Sequence, residues 1–186
     1  MNSALKELMS FAEQSYIRLE AEHIIEECLA SDSCGAFEKL LEELVLAGTT
    51  SLFALWEILE AIRSFKSQLG QEGLSIRQEI TEAFDGFGID LPDEVLSNPP
   101  HLFRQICSRG LQKAVRRMGE GLSMEDEYLL ADICDDAAGR VTTIARRLSI
   151  LKSFEDSVMD WIDGLVYEAA HQNRQTEWGR HSGIIL

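Results

Sequence analysis

Three groups of residues in this chain have types and spacings suited to chemistry. The first is acidic. Residues 125–136 hold six carboxylates, and Asp132, Asp135 and Asp136 form a D-x-x-D-D cluster with Arg140 as the first base to follow. Carboxylates at this spacing suit Mg²⁺, which binds through one or two of them and keeps several waters. A second acidic stripe, Asp156, Asp160 and Asp163, follows in the sequence. On two adjacent helices such stripes would bracket Mg²⁺, as the paired carboxylate motifs of helical phosphohydrolases do.

The second group pairs carboxylate with imidazole. Glu20-Ala-Glu-His23 and Glu168-Ala-Ala-His171 both read E-x-x-H. On a helix this places the two ligands one turn apart, the spacing that di-iron four-helix bundles use twice. Fe or Mn would be the expected metal of such a site. The order departs from the ferritin-like pattern, because here the pairs fall on the first and last helices. With 21 glutamates and four histidines in the chain, matches to so short a pattern also arise by chance.

The third group is basic. Arg104, Arg109, Lys113, Arg116 and Arg117 occur between residues 95 and 119 without one acid. Arg109, Lys113, Arg116 and Arg117 share a face at i, i+4, i+7 and i+8, opposite Phe103, Cys107, Leu111, Ala114 and Met118. Four cations on one face raise the local potential, so this face reads either as an anion or acidic-partner site or as pairing for surplus acids. The string RVTTIARRLSI, residues 140–150, has some of the residue types of a helix-turn-helix interior but lacks the glycine turn.

These groups need helices to position them. Only three prolines occur, all between Pro92 and Pro100, which leaves long uninterrupted stretches on both sides. Ser3 caps a first helix to about Leu29, with Leu5, Leu8, Ala12, Tyr16 and Leu19 on one side and Ile17, Ala21, Ile24 and Cys28 roughly opposite. Such a helix either breaks near residue 20 or packs on two sides. A short helix, Ala36 to Ala47, follows. Thr50 or Ser51 caps the next, a well-buried helix that Gly70 ends, and Ser75-x-x-Gln78 reads as a capping box for another to about Phe84. The loop of residues 86–98 is the one expected subdomain boundary, with Pro92 starting a short turn.

Asn98-Pro99 starts a helix to about Met118, with Gly110 as a weak point. Ser123 and Asp126 form a cap pair opening a helix to about Lys152, whose core seam is Leu130, Cys134, Ala137, Val141, Ile144, Leu148 and Leu151. Asp132, Asp135 and Asp136 project away from that seam. Acid first and base last also suits the helix macrodipole, so a solvated face is favoured over a metal site. Ser153 caps a last helix to about Asn173, where Val158, Ile162, Val166 and Ala169 lie opposite the second acidic stripe. Packed antiparallel to the preceding helix, it would bring Arg146 and Arg147 near Glu155 and Asp156.

The expected fold is therefore all-α: a single-domain bundle over residues 1–186, with about seven or eight helices and mostly antiparallel neighbours. A tail over residues 174–186 carries Trp178 and ends in Ile184, Ile185 and Leu186, either packed back on the domain or docked on another chain.

Composition narrows the function. An apolar fraction of 45% with 26% charged residues excludes wholesale disorder. A net charge of −15 argues against nucleic-acid binding over the whole surface. The four cysteines, Cys28, Cys34, Cys107 and Cys134, show no C-x-x-C or paired spacing, which points to core thiols and a reducing, cytoplasmic setting. No long apolar run is present to span a membrane, and the start MNSALKELMSFAEQ lacks the basic and apolar regions of a signal peptide. Phosphate-binding glycine loops, H-E-x-x-H and G-x-S-x-G are all absent. The expectation is a non-enzymatic cytoplasmic protein that binds another protein or itself and needs no cofactor. The alternative is a metal-dependent helical enzyme of di-metal carboxylate or Mg-dependent phosphohydrolase type, using Fe, Mn or Mg.

Overall fold

The computed structural model describes residues 3–31, 35–46, 52–92, 100–118 and 121–181. Side chains are described for residues 16–31, 35–42, 52–92, 100–118 and 121–171. Among the described residues the protein is an all-α helical bundle without strands. Its helices are α1 (Ser3–Ser31), α2 (Gly35–Leu46), α3 (Leu52–Asp85), α4 (Pro100–Arg116) and α5 (Met124–His181). No described helix is long and apolar enough to cross a membrane.

Among the described residues five helices stand where seven or eight are expected, because two local stop signals do not act. The helix from Leu52 passes through Gly70 and Ser75 and ends only at Asp85. Its buried stripe explains why: Leu55, Leu59, Ile62, Leu69, Ile76, Ile80 and Phe84 recur at helical spacing on both sides of Gly70. An interior glycine costs a helix only about 1 kcal/mol, less than burial of a single one of those side chains returns. At the other site, Ser153 lies inside α5, which runs unbroken for 58 residues. Here too the seam continues, through Leu151, Phe154, Val158 and Ile162.

α1 is also unbroken. Of its two apolar sides, the one carrying Ala21 and Cys28 is buried, together with Ile25 and Leu29. On the other, Tyr16 and Leu19 are exposed at 67% and 64%. Leu52, Phe53 and Trp56 at the start of α3 are exposed as well, although their helix is well buried further along.

The chain forms two compact units, Met1–Phe65 with Ile150–Leu186 and Lys66–Ser149. The divisions fall inside α3 and α5; residues 93–98 of the expected boundary loop lie outside the described residues. In the first unit α1, α2, the first part of α3 and the last part of α5 surround Ile25, Phe37, Leu55, Ile58 and Phe154. Phe37 and Phe154 stack with ring centroids 4.0 Å apart.

In the second unit the rest of α3, α4 and the first part of α5 share Ile76, Ile80, Phe84, Phe103, Leu130 and Val141. The chain leaves α3 by a turn in which Gly88 takes a φ of +69°, a left-handed value that favours glycine. Ile89 and Leu91 are then buried, Leu91 against α4. Gly110 permits that approach: a Cβ there would stand 2.7 Å from Leu91 Cδ2 and 2.8 Å from Phe84 Cε1.

α5 opens as expected. The Ser123 backbone N–H and hydroxyl both donate to Asp126 Oδ2, at 2.8 and 2.7 Å, and the Asp126 backbone N–H donates to Ser123 Oγ at 3.2 Å. These bonds hold the Asp126 carboxyl below the usual carboxylate range, the backbone bond contributing most.

Candidate functional site

The acidic cluster lies on the solvent side of α5. Asp132, Asp135 and Asp136 are all exposed, while Leu130, Cys134, Ala137 and Val141 face the core. Arg140 ties the cluster to α3: its guanidinium is 3.0 Å from Glu79 and 3.6 Å from Asp136. Those contacts, Glu79 first, raise the Arg140 pKa above its ordinary value. One cation between two carboxylates is a surface ion-pair network, each pair contributing a fraction of a kcal/mol.

The second acidic stripe belongs to the same helix as the first, so the two follow one another along α5 instead of facing each other across antiparallel helices. Arg146 and Arg147 accordingly do not come to Glu155 and Asp156 from a neighbouring helix. Arg63 of α3 approaches Glu155 at 4.0 Å, and Lys152 pairs with Asp156 at 3.2 Å.

In the E-x-x-H groups, Glu20, His23, Glu168 and His171 are all exposed. His23 lies 3.7 Å from Glu27, one turn along α1. His171 shares a 2.7 Å hydrogen bond with the Tyr167 hydroxyl, and the two rings meet edge to face. Among the described residues, no three or more His, Cys, Asp or Glu side chains are grouped to hold a metal ion.

The basic face of α4 is exposed as expected, with Phe103, Ile106, Cys107 and Ala114 buried behind it. Two of its four cations bind backbone rather than acid. Lys113 donates to the Asp90 carbonyl at 3.0 Å, and the Arg117 guanidinium donates to the carbonyls of Phe87 and Gly88. They hold the loop after α3 against α4. Arg109 and Arg116 are exposed, and no ion pair joins either to a described residue.

The end of α5 differs from what the pattern implies. The buried seam of Phe154, Val158 and Ile162 stops at Ile162 among the described side chains. Yet Leu165, Val166 and Ala169 continue it, within about 60° of Ile162 at about 100° per residue. Leu165 is half-buried, Ala169 is exposed, and Val166 and Tyr167 are exposed at 52% and 66%. The helix itself runs on to His181, so the first part of the expected 174–186 tail is helical. Trp178 lies on that last stretch, where side chains are not described, and Ile184, Ile185 and Leu186 lie outside the described residues.

One feature went unread in the sequence. It is the exposure of Tyr16, Leu19 and Val166, since periodicity places a residue on a stripe without saying what covers the stripe. No family model, curated protein or solved structure matches the chain, so function is argued from geometry and chemistry alone.

Proposed function

We propose that this protein acts without catalysis, by binding another protein through the uncovered end of α5. One observation carries the reading: the apolar seam of α5 continues through Leu165, Val166 and Ala169 after its cover has ended at Ile162. A helix segment without tertiary cover is marginal in water, and a groove that takes its i, i+3, i+4 anchors supplies the missing burial. Asp160, Asp163 and Glu168 flank the seam in solvent, which suits a partner with cations around its groove. Tyr16 and Leu19 of α1 add a second uncovered apolar pair in the same unit. A cytoplasmic setting remains part of the proposal, supported by the buried Cys28, Cys107 and Cys134, none of which is in a disulfide.

The test is light scattering on the purified full chain, together with partner capture from the native cell. The parent is compared with the double variant Leu165→Asp, Val166→Asp and with a deletion of residues 176–186. The proposal expects the double variant to lose self-association or capture while its helix content stays at the parental level. Unchanged solution mass together with unchanged capture in both altered chains would sink it.

A further inference from the structure

A groove of about 260 Å³ opens within the second unit, between α3, α5 and the start of α4. Gly70, Gly73 and Leu74 line it from α3, and Val141, Ile144 and Leu148 from α5. The two glycines make the space. Three residues apart, they take side chains off one face of α3 at a cost of about 1 kcal/mol each in helix propensity. Packing within the chain does not require them. A Cβ at Gly70 would meet nothing within 4 Å, and one at Gly73 would stand 3.8 Å from Ile144 Cγ2, an ordinary contact. The lining is apolar apart from Arg77, whose guanidinium lies 5.9 Å from the centre of the Phe103 ring. On α5 no acid occurs between Asp136 and Glu155, and Glu72 of α3 lines a different cleft, with Asp135 and Asp136.

We infer that this groove receives the uncovered end of α5 from a second copy of the chain, with Leu165 and Val166 entering it and an acid beside them meeting Arg77. The inference rests on the reading of the α5 end as a binding surface and names its partner. The two surfaces match in size, length and charge. An apolar cavity of about 150 Å³ already holds benzene, a ring of six carbons. Leu165 and Val166 together bring seven side-chain carbons to a groove of about 260 Å³. Leu165 to Ala169 spans roughly 6 Å of helix, inside the roughly 12 Å from Leu69 to Arg77. Where α3 lacks side chains, another helix can approach its backbone closely.

Charge fixes the orientation. Asp163 and Glu168 stand about 110° to either side of the centre of the seam, so both reach the rim of a groove that the seam enters. The one charged lining residue there is a cation. The net charge of −15 does not oppose this contact at short range, because charges more than about 8 Å away are largely screened at physiological ionic strength. Seam and groove are different patches of the chain, so two copies close by exchanging ends or further copies add in a row.

The experiment is sedimentation of the purified full chain over a range of concentrations, beside three variants. Leu165→Asp, Val166→Asp spoils the seam. Gly70→Leu fills the groove, and Leu74→Glu puts a carboxylate into it at a position already 52% exposed. The parent should self-associate, more weakly as salt is raised, and each variant alone should raise the dissociation constant at least about tenfold. Gly70→Leu should do so while melting above the parent, which a damaged fold would not. Mixing the seam variant with either groove variant should restore pairing, since one supplies an intact groove and the other an intact seam. A parent that is monomeric at every concentration overturns the inference, as does self-association that both groove variants leave unchanged, or a mixture that stays monomeric. In each of those cases partner capture by the parent that the seam variant loses would still uphold the α5 end as a binding surface; capture equal in the two would sink that reading as well.

Discussion

α4 and the last third of α5 are both amphipathic, and only one of them has its apolar side covered. On α4 the stripe of Phe103, Ile106, Cys107, Gly110 and Ala114 is buried from end to end. Its cationic side is in solvent, and two of those cations hold the carbonyls of the preceding loop. At the end of α5 the stripe keeps its spacing while the cover stops at Ile162. Amphipathic spacing therefore shows that a helix has an apolar face, whereas burial shows whether the same chain supplies the other half. Where it does not, the face stands open in this chain, and the proposed binding rests on that opening.

Substitutions on the two helices should separate these cases. Phe103→Ala on α4 should cost the most, about 3–5 kcal/mol, since a fully buried ring, with the Arg77 guanidinium of α3 over it, leaves a cavity. Urea unfolding measures it, and a loss below about 1 kcal/mol would mean that α4 is not covered as described.

Gly110→Ala comes next. Leu91 can swing aside, but the fully buried Phe84 ring cannot, so overpacking of about 1–3 kcal/mol exceeds the roughly 1 kcal/mol that alanine gains in helix propensity. Thermal melts should place this variant below the parent, and a higher midpoint would contradict the close approach of the loop.

Ser123→Ala removes the cap of α5 and should cost about 1 kcal/mol at neutral pH. The effect has a definite pH sign. The folded Asp126 carboxyl titrates below its unfolded value, so its contribution is present above the unfolded carboxyl range, about pH 3.9, and fades as pH falls through the folded value. The gap between parent and variant should narrow in strong acid, leaving the part due to the Asp126 N–H bond to Ser123 Oγ; a gap unchanged there would assign the cap to that bond alone.

The smallest effects belong to the end of α5. Val166→Asp should leave stability within about 0.5 kcal/mol, because the side chain is already half in water. A large loss would show that Val166 is covered within the chain. Fe²⁺, Mn²⁺ and Mg²⁺ should each leave the thermal midpoint where it was, since Glu168 and His171 join no group of metal-ligating side chains among the described residues. A clear upward shift would revive the metal-dependent reading.

The fold class was legible because helical periodicity fills most of the chain and prolines are confined to one loop. Helix ends were less legible. Gly70 and Ser153 carry local stop and start signals, but each sits between stretches of one continuous buried seam, and burial outweighs a penalty of about 1 kcal/mol. Ser123 and Asp126 were read as a cap and act as one, at the point where no seam runs on from the preceding residues. Gly110 was legible as a weak point in a helix and illegible as a contact, because Phe84 and Leu91 reach it from another part of the chain. The basic face was read on the correct side of α4, yet its use in holding carbonyls at residues 87–90 depends on a loop that the spacing does not place.

The first unit is discontinuous: Phe37 finds its stacking partner in Phe154, beyond the whole of the second unit. During synthesis at about 5–20 residues per second, α1 and α2 emerge several seconds or more before the segment that closes over them. The residues of the second unit leave the ribosome as one consecutive stretch and have all their own partners first. Folding on the ribosome should therefore finish in the middle of the sequence before it finishes at the beginning. A chain stalled before residue 150 would hold one complete core and one still open.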